Sequence, residues 1–232
     1  MKILIIIPAY NEAESIKSVI YNLKKTVPYV DYIVINDCSK DATARICEEN
    51  KFNYISLPVN LGIGGGVQTG YKYAWEKGYD IAIQHDGDGQ HDPLYIEQII
   101  QPIISKQADI TIGSRFIEKE GFQSSKSRRL GIAFLSGLIY FFSGTKIKDV
   151  TSGYRAVNKE YIQFYAENYP ADYPEPEAII AASLNGARIK EIPVVMKERE
   201  NGVSSINLTK SIYYMIKVSI AIAICRLTYR RI

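Results

Sequence analysis

The stretch KILIIIP at residues 2–8 limits the possible folds more than any other part of the chain. It is a continuous, isoleucine-rich apolar run of strand length, as expected for a strand covered on both faces. The next segment has a different period. Asn11 and Glu14 have the spacing of a capping box, and Ile16, Val19, Ile20, Leu23 and Val27 fall on one helical face. The alternation repeats through strand 32–36, helix 41–50, strand 53–57, helix 65–77 and strand 80–85. Asp92-Pro93 then caps a helix carrying Ile96, Ile99, Ile100, Ile103 and Ile104, and strand 109–113 comes after it. Strands alternating with helices predict an α/β fold with a doubly wound, mainly parallel sheet. Ligands in such sheets sit beyond the carboxyl ends of the strands, so the polar residues there are candidates for one shared site.

The second half is less regular. A basic segment, GFQSSKSRR (121–129), leads into LGIAFLSGLIYFF (130–142), apolar nearly all round. Residues 149–157 read as a strand with a polar start, YPADYPEPE (169–177) as a turn before a helix through Leu184, and 188–196 as a strand. The tail, 207–231, has a helical pattern. No linker or repeat interrupts 1–206, which is expected to form one domain followed by a C-terminal amphipathic basic helix, 207–232.

Charge is distributed unevenly. From Asn201 onward there are five bases (Lys210, Lys217, Arg226, Arg230 and Arg231) and no acid, so residues 1–200 carry 23 bases against 25 acids. The basic character belongs to the tail, which argues against a nucleic-acid surface. Between Ser211 and Cys225 there is one charge, Lys217. A membrane span needs about 20 apolar residues, so an interfacial helix on an anionic membrane surface, or a core or oligomer-interface helix, fits better. The three cysteines form no CxxC pair, as expected for reduced intracellular thiols, and the N-terminus lacks the pattern of a secretory signal.

The chemistry concentrates in QHDGDGQHDP, residues 84–93. As an EF-hand it fails, because the position that needs glycine is His91 and Pro93 falls in mid-loop. As a zinc site it has unhelpful histidine spacing and no nearby cysteine. Plain turn chemistry is the competing reading of its Asp and Gly content. The stronger reading is a hard divalent cation, which takes one or two carboxylates and leaves positions for water and a substrate diphosphate. Asp86 and Asp88 can share it across Gly87, with Gln90 and His91 completing or orienting the shell. The glycines of NLGIGGG (60–66) match neither GxGxxG nor the Walker pattern, and instead suit a close approach of backbone.

With IIIPAYNEAESI, VINDCSKDAT, NLGIGGGVQTGYKYA and DGDGQHDP in that order, the chain resembles the family-2 glycosyltransferases of GT-A fold over nearly its whole length. GSRF (113–116), Arg129, DVTSGYRA (149–156) and KERENGVSS (197–205) make it most similar to the dolichol-phosphate mannose synthases and related polyprenyl-phosphate glycosyltransferases. The resemblance implies that Pro8, Ala9, Tyr10, Glu12, Asp37 and Asp86 meet the nucleotide, and that Asp86, Asp88 and Gln90 hold Mg²⁺ or Mn²⁺. It implies that Arg115, Arg129 and Arg199 face the diphosphate and the acceptor phosphate, although each arginine alone is more often a surface or packing residue. Glu177 stands at the position of the family's acid, and Asn36 stands where an aspartate is usual.

The implied reaction is inverting transfer of a sugar from a nucleotide-sugar, a UDP-sugar rather than GDP-mannose, to a polyprenyl phosphate. The expected location is peripheral, on the cytoplasmic face of the cell membrane, held by the tail or by a small membrane-protein partner or homo-oligomer. Two alternatives stay open. One is transfer to a sugar hydroxyl of a growing glycan, which would need Asp172, Glu175 or Glu177 as a base; the other is a nucleotide-sugar-binding or nucleotidyl-transfer protein. The same acids also suit a plain helix N-terminus.

Overall fold

The computed structural model describes residues 1–121, 125–197 and 208–228. Its centre is a seven-stranded sheet of β1 (Ile3–Ala9), β2 (Asp31–Asn36), β3 (Tyr54–Ser56), β4 (Ile81–Gln84), β5 (Ile110–Ser114), β6 (Arg155–Asn158) and β7 (Ile189–Pro193), in the order β3-β2-β1-β4-β6-β5-β7. All neighbours are parallel except β6, which runs antiparallel to both β4 and β5. The helices are α1 (Ile16–Thr26), α2 (Thr43–Glu49), α3 (Gly62–Glu76), α4 (Ile96–Ile104), α5 (Lys126–Ser143), α6 (Lys159–Glu167), α7 (Pro174–Leu184) and α8 (Leu208–Thr228).

Strand β1 is buried on both faces, as its unbroken apolar run predicts. Leu4 and Ile6 join a core beneath α3, α5, α6, α7 and α8, while Ile3, Ile5 and Ile7 join a second core beneath α1 and α4. Each such isoleucine contributes about 1.5–3 kcal/mol when fully buried. Close packing on the first face depends on Gly70 of α3, where a Cβ would fall 2.2 Å from Cγ2 of Ile6.

Several boundaries differ from expectation. The Asn11–Glu14 capping box does not form: α1 begins at Ile16, and Asn11, at φ +57°, uses its Oδ1 to accept from the Lys40 amide at 2.8 Å. Asp92 does cap, accepting from Leu94 N at 3.0 Å over a 3-10 turn (Pro93–Tyr95) that leads into α4. The strand expected over 149–157 is confined to β6, and α6, which the sequence pattern does not announce, comes directly after it. Helix α5 is only half inward. Ile132, Leu135 and Ile139 are buried, whereas Leu130, Phe134, Tyr140 and Phe141 are exposed. Helix α8 packs on α5 and α7, burying Val218 and Ile222.

Candidate active site

The loops that leave β1, β2 and β4 at their carboxyl ends enclose a cleft of about 560 Å³. Pro8, Ala9, Tyr10 and Glu12 line it from the β1 end, Asp37 from the β2 end, and Asp86, Gly87 and Asp88 from the β4 end. Asn60, Gly62, Ile63 and Gly66 add the start of α3, and Glu175 adds the first turn of α7.

Hydrogen bonds lock these loops to one another. The Asp37 amide donates to Ala9 O at 2.9 Å, and Asn11 and Glu12 donate their backbone N–H groups to Ser39 Oγ and Thr43 Oγ1 at 3.0 and 2.9 Å. Asp37 Oδ1 accepts from Leu61 N at 2.7 Å, and the Asn60 side chain donates to Asp37 O at 3.0 Å, which ties β2 to α3. Asn36 is buried behind this site. It donates to Ser56 Oγ at 3.0 Å and accepts from Ser39 N at 3.2 Å, joining β2 to β3. The glycine-rich start of α3 is also explained by close approach: a Cβ on Gly64 would fall 2.1 Å from Pro170 O, in the loop before α7.

The acid turn is tightly built. Gly87 sits where a Cβ would be 3.2 Å from Pro8 O, and Gly89 has φ +81°, in the left-handed region that glycine tolerates. Asp88 Oδ1 accepts from Gln90 N at 3.0 Å. The Gln90 side chain does not line the cleft; its Nε2 donates to Lys197 O at 3.3 Å. His85 and His91 lie beneath the turn. Burial depresses both imidazoles, His85 to about 3 and His91 to about 4, so both are neutral near pH 7.

Of the three expected arginines, neither of the two described, Arg115 and Arg129, is in the cleft lining. Arg115 is nearly buried and makes a two-pronged pair with the fully buried Asp149, through Nε and Nη2 at 2.7 Å each, with Thr151 Oγ1 at 3.1 Å. Burial would lower its pKa, but the Asp149 pair outweighs that and raises it, with the charge of Asp86 adding in the same direction. Arg129 is exposed on α5. Its neighbour Arg128 feels the charges of Arg115, Asp149 and Glu175, and desolvation with the Arg115 charge lowers its pKa. Arg199 lies outside the described residues.

The acid on α7 that lines the cleft is Glu175, not Glu177. Burial raises the Glu175 pKa and the Asp86 charge adds to it, against the opposing pull of Arg155 and Arg128. Glu177 is turned toward α8. Burial raises it too, and the charges acting on it come from Lys217 and Asp172. Residues two apart on a helix do not share a face, so only one of this pair can serve the cleft.

The described lining holds five carboxylates (Glu12, Asp37, Asp86, Asp88 and Glu175) and no base. Such a cleft repels an anionic diphosphate unless a cation enters with it. Among the described residues, no group of three His, Cys, Asp or Glu is placed to hold a metal alone. That donor set fits a hard divalent cation with one or two protein carboxylates and the remaining positions filled by water and substrate oxygens.

Comparison with known proteins agrees with the fold. The family model described as glycosyl transferase family 2 matches residues 4–165. The chain is 35% identical over 212 residues to a UDP-N-acetylglucosamine–dolichyl-phosphate N-acetylglucosaminyltransferase of Methanococcus voltae, covering 83% of this chain and 84% of that one. It is 29% identical over 218 residues to an undecaprenyl-phosphate mannosyltransferase of Micrococcus luteus, covering 89% and 88%. In fold it is similar to glucosyl-3-phosphoglycerate synthase of Mycobacterium tuberculosis, solved with Mn²⁺, UDP-glucose and phosphoglyceric acid. There the TM-score is 0.76 at 17% identity, over 99% of this chain and 81% of the other.

Proposed function

The chain belongs to glycosyl transferase family 2, and from that premise we propose that it transfers a sugar from a UDP-sugar to a polyprenyl phosphate, with inversion and with a divalent cation. The observation that carries the donor half is the cleft whose described lining has five carboxylates and no base, which favours a diphosphate that arrives with a cation. The acceptor half is supported by the activities for which the M. voltae and M. luteus relatives are named. Mg²⁺ or Mn²⁺, when bound, offsets the charge of the departing diphosphate.

The roles come from placement. Asp86 and Asp88 are proposed to hold the cation, and Pro8, Ala9, Tyr10, Glu12 and Asp37 to frame the nucleotide. Gln90 is assigned to shaping the turn, since its amide is engaged by Lys197. An oxygen of the acceptor phosphate forms the new bond to the anomeric carbon while the bond to the nucleoside diphosphate breaks. A phosphate ester is already ionised near neutrality, so this route needs no side chain to remove a proton. Arg115, whose charge interacts with that of Asp86, and Arg128, whose charge acts on Glu175, are assigned to the phosphates; Arg129 and Arg199 stay candidates for the same work. Transfer to a sugar hydroxyl is the second reading. It is favoured by Glu175 alone, a carboxylate of raised pKa on the cleft wall.

The surface fits a peripheral lipid-facing enzyme. Tyr213, Ile216, Ile220, Ile224 and Leu227 form an exposed stripe on α8, beside the exposed Leu130, Phe134 and Phe141 of α5. In sequence, 121–148 and 201–232 contain ten bases and no acid. An apolar face framed by positive charge complements an anionic leaflet, and no helix among the described residues is long and apolar enough to cross a membrane. We assign 1–206 to catalysis and 207–232 to docking on the cytoplasmic face.

A donor panel tests the donor assignment. With Mn²⁺ present, a UDP-sugar should raise the melting temperature by mass action, and chelation should remove the shift. Stabilisation by GDP-mannose alone would overturn the UDP assignment.

A further inference from the structure

The peptide groups of Asp86 are held from two directions by imidazoles. The Asp86 N–H donates to Nδ1 of His91 at 3.0 Å, and the Asp86 carbonyl lies 3.0 Å from Nδ1 of His85. An amide N–H only donates and a carbonyl only accepts. The two rings therefore carry opposite tautomers, with the proton on Nδ1 in His85 and on Nε2 in His91. That Nε2 lies 3.5 Å from Asp86 Oδ2, so one ring addresses both the backbone and the carboxylate of the same residue.

The rings are themselves fixed. His91 stacks on Tyr154 with centroids 4.5 Å apart and planes 10° apart, and His85 meets both rings edge-on at 5.4 and 5.5 Å. The Tyr154 hydroxyl donates to Asp92 O at 2.9 Å, which closes the far end of the turn. All three rings are buried, and neither histidine lines the cleft. A simple aromatic core would use apolar rings. This one directs ring nitrogens at both backbone polar groups of a single residue, the acid the cleft presents at the β4 end.

We propose that His85 and His91 are positioning residues, not ligands, that clamp Asp86 so that its carboxylate is pre-oriented toward the cation. The proposal rests on the reading of the cleft as a metal site. Residues that orient a metal ligand cost about 10–100-fold in metal affinity when they are lost.

The test is Mn²⁺ binding to the substrate-free protein, measured by electron paramagnetic resonance, for wild type, His91→Leu and His91→Asn. Asparagine places its Oδ1 where Nδ1 sits and can still accept from the Asp86 amide. Leucine should weaken binding about 10-fold or more, and asparagine should recover most of the loss. Wild-type affinity in a folded His91→Leu protein, or equal losses for Leu and Asn, would overturn the clamp. Should the leucine variant not fold, ¹⁵N spectra of the wild-type histidine rings decide the matter. Opposite tautomers, unchanged in type when Mg²⁺ is added, are expected; matching tautomers or a metal-bound ring nitrogen would refute it. Wild-type protein that binds no Mn²⁺ contradicts the metal reading itself, and the ring tautomers then decide the clamp alone.

Discussion

Asp88 and Glu175 show how one cleft sets different tasks for two carboxylates. Asp88 lies in the β4 turn, where its Oδ1 accepts from Gln90 N, and it is part of a crowded set of acids. Asp88→Ala removes a proposed cation ligand and also some like-charge repulsion. Transfer should fall by at least about 100-fold, the scale of losing one preorganised electrostatic group, while the melting temperature holds or rises. A variant with normal activity would remove Asp88 from the site. Glu175 has its pKa raised, chiefly by burial. The folded protein thus keeps this proton to higher pH than the unfolded chain does, and the associated stability is complete in acid and lost as pH rises through and above the carboxylate range. Glu175→Gln should therefore melt higher than wild type at pH 7.5 and converge with it near pH 4; a constant difference at both pH values would contradict the assignment. The same variant separates the acceptors. It should retain most activity toward a phosphate, but lose about 10²–10⁴-fold if a hydroxyl must be deprotonated. The resemblance named Glu177, and the residues alone left Asp172, Glu175 and Glu177 open, because the rotation of the first turn of α7 is set by packing against α8 and not by local pattern. Arg128 and Arg129 pose the same problem, since neighbours on a helix point about 100° apart.

Among the elements, the central strands were legible because β1, β2 and β4 are apolar on both faces and lie between turn residues. Helix α6 was not, because it continues from β6 without a break. Asn158 ends the strand and also caps the helix, accepting from Tyr161 N at 3.1 Å. At α1 a long-range partner overrode a plausible local cap, as Asn11 bonds to Lys40, 29 residues away. Helix α8 has two faces with separable consequences. Its exposed stripe carries Ile216 and Ile220, and its buried face carries Val218 and Ile222. Replacing Ile216 and Ile220 together by glutamate should lower partition onto anionic liposomes by about 10²–10⁴-fold, given about 1.5–3 kcal/mol for each isoleucine buried in lipid and tenfold per 1.4 kcal/mol. The melting temperature should stay close to wild type. Unchanged partitioning, with a shift in oligomeric state, would assign the stripe to a second copy of the chain.

For the whole molecule, the reversal of β6 determines which loops meet. Because β6 runs antiparallel to β4, its start at Arg155 lies opposite Gln84, the residue that ends β4. Gly153 is thereby brought so close to Asp86 that a Cβ there would fall 3.2 Å from its carboxylate. The same turn carries Asp149, which holds Arg115. An expectation of a mainly parallel sheet puts the candidate site at the carboxyl ends of β1, β2 and β4, where the cleft lies. It does not predict that the DVTSGYRA segment and α7 close the other side, because that depends on one antiparallel strand. The resulting molecule has an acidic cleft on one part of its surface and an acid-free apolar helix pair on another, joined through α7 and α8. The proposed sugar transfer to a lipid phosphate would unite these two surfaces. The direct measurement is incubation of purified protein with radiolabelled nucleotide-sugars, Mn²⁺ and a short-chain polyprenyl phosphate, and then organic extraction. The account predicts a labelled, metal-dependent product in the organic phase with a UDP-sugar, absent without the lipid phosphate. No extractable label with any donor in the panel would contradict it.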